Sequence, residues 1–98
     1  MRIRQMERNL DKALAAVKRL STALDKYEDA QEAIAALGKY YGSDEWRQDY
    51  EDDEAGLLPA DLKRGVLSED GIWNLLDDNT RLARQMQTLA DQLLQTRQ

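Results

Sequence analysis

The chain has 98 residues, a formal net charge of −5, and neither histidine nor cysteine. That length makes one domain, residues 1–98, at the size where a lone core is only modestly stable and association often completes it. The missing side chains exclude disulfides, thiolate nucleophiles, zinc sites of the usual Cys/His kind and imidazole acid–base catalysis.

The first predicted element is a long helix over 1–38. Ile3, Met6, Leu10, Ala13, Val17, Leu20, Leu24, Tyr27, Gln31 and Ile34 recur at alternating three- and four-residue spacing, which is a heptad repeat. Nothing interrupts the repeat before Gly38, so a rod of about 36 residues and about 54 Å is expected. Ala16, Ala23, Ala30 and Leu37 occupy the g positions, where a simple two-stranded coil carries charges. The apolar stripe is therefore wider than one seam, with a small-residue flank that admits a close neighbour.

A connector is predicted over 39–67. Residues 40–73 hold five of the six aromatics, the one proline and four of the five glycines. Gly38 and Gly42 should end the first helix, and Ser43 should cap a short helix from about Asp44 to Glu54. Gly56 stops that piece, and Pro59 fits the first position of a further turn ending near Gly65. Trp46, Tyr50, Leu57, Leu58, Leu62 and Trp73 form the apolar set expected to cap one end of a helix pair.

The third predicted element is a long helix over 68–96. Ser68 reads as its N-cap, with Glu69 and Asp70 in the first turn where the helix dipole favours acids. Ile72, Leu75, Asn79, Leu82, Met86, Leu89 and Leu93 repeat the heptad spacing, and Leu76, Ala83 and Ala90 widen the stripe. Two such helices joined by about 30 residues pack most simply antiparallel. The expected fold is all-α: a long antiparallel helical hairpin with a short helical, aromatic-rich connector. A hairpin leaves half of each stripe facing water, so dimerisation into a four-helix bundle is expected to cover the remainder. Gln31 and Asn79, both polar at a positions, either share a contact that fixes register or each reach solvent or backbone.

Charge is uneven along the chain. Residues 41–67 carry three Lys/Arg against eight Asp/Glu, whereas residues 1–40 carry eight against six. The acidic balance argues against direct binding of nucleic acid and favours a basic protein partner. Asp44, Glu45, Asp49, Glu51, Asp52, Asp53 and Glu54 invite a calcium reading, but an EF-hand counted from Asp49 would need glycine where Glu54 stands. No metal and no cofactor is expected. Ser21, Ser43 and Ser68 lack a histidine base, and Lys63-Arg64-Gly65 lacks the glycine-rich loop of a phosphate cradle. No enzyme activity is expected, and no catalytic residue stands out. The N-terminal stretch MRIRQMERNL has no apolar core of signal-peptide length, and no window approaches the roughly 18 apolar residues of a membrane span. Cytoplasmic residence without a membrane partner is the expectation.

Residues 40–79 resemble the signature of a family of short bacterial proteins known as domain of unknown function 4298. The pattern is matched by Tyr40, Tyr41 and Gly42, then by Glu45, Trp46, Asp49 and Tyr50, then from Leu58 through Ser68. The resemblance extends over nearly the whole chain. It implies one shared fold and supplies no activity or catalytic residue. The expected protein is a non-enzymatic, homodimeric helical interaction module. Its partner-binding residues would be Trp46, Tyr50, Asp49, Asp52, Asp53 and Glu54. The alternative is an acidic inhibitor or adaptor, perhaps phage-related, that occupies a basic nucleic-acid-binding groove of a target protein.

Overall fold

A computed structural model describes residues 1–96. Among them the secondary structure is helical throughout: α1 (Arg2–Tyr40), α2 (Asp44–Glu54), a 3-10 turn (Gly65–Leu67) and α3 (Gly71–Thr96). The contacts within the chain divide it into two units, residues 1–33 and residues 34–98.

The first unit is one continuous stretch of α1. Alanine, leucine, arginine, lysine and glutamate dominate it, all strong helix formers, and neither glycine nor proline interrupts it. No residue of α1 is buried. Leu10 is 50% exposed and Val17 69% exposed, so the heptad stripe up to Leu24 faces solvent in the single chain, whereas Tyr27, Gln31 and Ile34 are half-buried. Gln31 Nε2 donates to the Tyr27 carbonyl at 3.1 Å.

The second unit begins within α1. Gly38 does not end that helix, which runs on to Tyr40. A glycine inside a helix weakens it by about 1 kcal/mol relative to alanine without stopping it. The break comes at Gly42, whose φ of 76° lies in the left-handed region. Ser43 follows in extended backbone, and its hydroxyl accepts the Trp46 N–H at 3.1 Å, capping α2. The other end of α2 closes as a Schellman motif: the Gly56 N–H bonds the Asp53 carbonyl and the Leu57 N–H bonds the Asp52 carbonyl. Gly56, at φ 73°, supplies the left-handed residue that this motif needs.

Ser68 departs from its expected role. α3 starts three residues later, at Gly71, and the Asn74 N–H bonds the Asp70 carbonyl at 2.8 Å. Glu69 and Asp70 therefore precede the helix instead of forming its first turn. Ser68 Oγ donates to the Gly65 carbonyl at 2.8 Å and accepts the Gly71 N–H at 3.0 Å, locking the 3-10 turn onto the start of α3.

The buried centre of this unit is Leu67 (7% exposed) and Ile72 (3%). Of the expected cap, Trp46, Tyr50 and Leu58 are half-buried, whereas Leu57, Leu62 and Trp73 are exposed. Trp73 stands one residue beyond Ile72, about 100° around the helix, and so leaves the face that Ile72 buries. Leu82, Met86, Leu89 and Leu93 of α3 are all exposed.

Candidate interaction surface of the connector

α2 and the turns on either side of it gather the aromatic residues. Trp46 and Tyr50 lie one helical turn apart on α2 and stack with ring centroids 5.5 Å apart and planes 28° apart. Tyr41, between the end of α1 and Gly42, meets Trp46 edge-on at 5.4 Å and 66°. Offset stacking and edge-on contact are the two arrangements favoured by the aromatic quadrupole. The indole N–H of Trp46 donates to the Val66 carbonyl at 2.9 Å, and the Tyr41 hydroxyl donates to the Glu69 carbonyl at 3.3 Å. Trp46 thus joins α2 to the 3-10 turn, and Tyr41 joins the end of α1 to the approach to α3.

The acidic residues of α2 divide between internal ties and open surface. Asp49 Oδ2 accepts the Tyr40 hydroxyl at 2.6 Å. That bond to a carboxylate, reinforced by burial and by the negative charges of Asp49 and Glu45, pushes the Tyr40 phenol up to about 12. Asp53 Oδ1 pairs with Arg64 Nε at 2.6 Å, while another nitrogen of the same guanidinium donates to the Pro59 carbonyl at 2.8 Å. This clamp holds the irregular segment between Gly56 and Gly65 against α2. Asp52 accepts the Gln48 side-chain amide at 2.9 Å. Asp44 pairs with Arg47 at 3.3 Å in full exposure, and Glu45, Glu51 and Glu54 are exposed.

Of the six residues named from the sequence as partner-binding, five are thus engaged inside the connector: Trp46, Tyr50, Asp49, Asp52 and Asp53. Glu54 stands on the surface. Tyr40, Tyr41 and Arg64 belong to the same constellation and are not singled out by periodicity. The adjacent tyrosines before Gly42 were the available signal, since two large aromatics beside a helix-ending glycine need a neighbour to pack on.

A hollow of about 360 Å³ opens beside this cluster, lined mainly by Leu37, Val66, Ile72 and Leu75, with Lys63 at its edge. Among the described residues no three acidic side chains are grouped so that they could hold a metal ion. No helix of the described residues is long and apolar enough to cross a membrane.

No curated protein and no solved structure matches this chain. The family model described as domain of unknown function (DUF4298) matches residues 3–89, and the chain belongs to that family.

Proposed function

We propose that this protein is a non-enzymatic, cytoplasmic helical interaction module that completes its core by self-association. The two long helices fold back as an antiparallel hairpin, and two hairpins form a four-helix bundle. The observation that carries this reading is the solvent exposure of both apolar stripes, Leu10, Val17, Leu20 and Leu24 on α1 and Leu82, Met86, Leu89 and Leu93 on α3. Burying one such side chain contributes about 1.5–3 kcal/mol, so a second copy that covers even half of them outweighs a large association entropy. The Ser43 and Ser68 hydroxyls are both engaged with backbone groups, which suits structural residues and not nucleophiles.

The connector is the face offered to other proteins. Trp46 and Tyr50 hold its shape, and Glu45, Glu51 and Glu54 present charge to a basic partner. Light scattering at micromolar concentration tests the reading: a mass twice the 11.3 kDa of one chain is expected, and a persistent single chain would overturn it.

The eight acids against three basic residues in 41–67 also favour a second reading, an acidic inhibitor or adaptor seated in a basic nucleic-acid-binding groove. Binding of such a target would weaken steeply as salt rises, whereas an interface resting on the aromatic and apolar residues would change little.

A further inference from the structure

Asp70 precedes Gly71, and no other aspartate or asparagine of the chain precedes a glycine. Packing fixes the glycine there, because a Cβ at position 71 would meet the Gly65 carbonyl oxygen and Ser68 Oγ at 2.6 Å each. Both Asp70 and Gly71 are exposed. Of the links that an aspartate makes to the next residue, the one to glycine reacts most readily with the aspartate's own side chain, since glycine sets no side chain in the path of its nitrogen and turns freely about its φ and ψ. The Gly71 nitrogen, on losing its proton, attacks Cγ of Asp70. A C–N bond forms, the amide hydrogen and the carboxyl hydroxyl leave together as water, and a five-membered succinimide closes. Water then opens the ring at one of its two carbonyls. Opening at Cγ restores aspartate, whereas opening at the former backbone carbonyl leaves isoaspartate, with the chain routed through Cβ and Cγ. No reagent other than water takes part.

We infer that the Asp70–Gly71 link is a site of spontaneous isoaspartate formation, and that the Ser68 hydroxyl restrains the reaction in the folded chain. Gly71 is the first residue of α3, and the first N–H groups of a helix have no acceptor within it. The Gly71 N–H donates instead to Ser68 Oγ at 3.0 Å. Ser68 Oγ is itself held, donating to the Gly65 carbonyl at 2.8 Å. The proton that must leave before the ring can close is therefore bound to a fixed acceptor, and the folded chain has to release it by a local opening of this turn. The product undoes the same junction. Isoaspartate puts one more carbon into the main chain between 70 and 71, and the Asp70 carbonyl that accepts the Asn74 N–H at 2.8 Å becomes part of a free carboxylate. The 3-10 turn and α3 supply the buried Leu67 and Ile72, so this change of spacing reaches the centre of the unit. The inference goes beyond the interaction role proposed above and does not depend on self-association.

The full chain is aged at neutral pH, folded and in urea, and isoaspartate at position 70 is read by chromatography of the tryptic peptide with electron-transfer fragmentation. It should accumulate in urea and form more slowly in the folded protein. Folded Ser68→Ala should react about three- to tenfold faster than the folded parent, the factor that one hydrogen bond ordinarily supplies. Folded Ser43→Ala removes the α2 cap and leaves the Ser68 bonds in place, so it should keep the parent rate. No isoaspartate at position 70 in urea would overturn the site. Equal rates for the folded parent and Ser68→Ala, or an equal acceleration by Ser43→Ala, would overturn the role of Ser68. Hydrogen exchange of the Gly71 amide in the unsubstituted protein keeps the test decisive even if Ser68→Ala does not fold, because exchange and ring closure both begin with loss of that proton. Protection is expected, and exchange at the unfolded-chain rate would overturn the restraint.

Discussion

Tyr40 donates its hydroxyl to Asp49 over 2.6 Å, so the last residue of α1 is tied to the middle of α2 across the Gly42 turn. The bond exists only while the phenol keeps its proton. Folding therefore raises the Tyr40 pKa from the ordinary 10 to about 12, and the stabilisation that this represents is complete below pH 10 and fades between pH 10 and 12. Tyr40→Phe should lower stability by about 1 kcal/mol at neutral pH and remove one late component from the absorbance titration of the tyrosines. Loss of a component that titrates near the ordinary 10, with the late one absent from the parent protein, would show that the bond does not form in solution.

Ser43 accepts the Trp46 N–H, and α2 is only 11 residues long, so its first turn depends on that cap. Ser43→Ala should cost about 1 kcal/mol, and Ser43→Asp should restore most of it. Urea unfolding followed by circular dichroism compares the three; equal midpoints for all of them would refute the cap.

Gly71 has no room for a side chain. A Cβ placed there would stand 2.6 Å from the Gly65 carbonyl oxygen and 2.6 Å from Ser68 Oγ, the groups that lock the 3-10 turn to α3. Gly71→Ala should destabilise by about 1–3 kcal/mol. Gly38→Ala offers the contrast, since its Cβ would make only ordinary contact with Leu76 at 3.6 Å and alanine improves the helix. The expected result is a lower melting temperature for the first variant and an equal or higher one for the second. The reverse order would contradict this packing.

The two tryptophans should answer differently to a soluble quencher. Trp46 is half-buried, stacked on Tyr50 and bonded to the Val66 carbonyl, whereas Trp73 is 54% exposed. Acrylamide should therefore quench the Trp46→Phe protein, which reports Trp73, more strongly than the Trp73→Phe protein. Equal quenching would mean that the connector does not hold Trp46 as described, or that Trp73 is covered in the assembled protein. Measuring above and below the concentration at which the proposed dimer would form separates these outcomes.

Much of this architecture is legible in the residues alone because its signals are local. A heptad repeat without proline specifies a long helix. Ser43 before Asp44 starts α2, and Gly56 stops it, since a cap or a left-handed turn depends on the few residues beside it. Family membership is likewise written in the order of Tyr40, Tyr41, Gly42, Trp46, Tyr50 and the run from Leu58 to Ser68. What only the tertiary structure decided are the matters that depend on neighbours distant in the chain. Gly38 stays inside α1, with the Leu76 side chain beside it. Leu67 and Ile72, not Trp73 and Leu57, occupy the buried centre. Asp49, Asp53 and the Trp46 indole N–H are turned inward by Tyr40, Arg64 and Val66, partners between 9 and 20 residues away. Whether an acid or an aromatic faces solvent or a neighbour depends on which donors and surfaces the folded backbone sets beside it, and spacing along the chain does not record that.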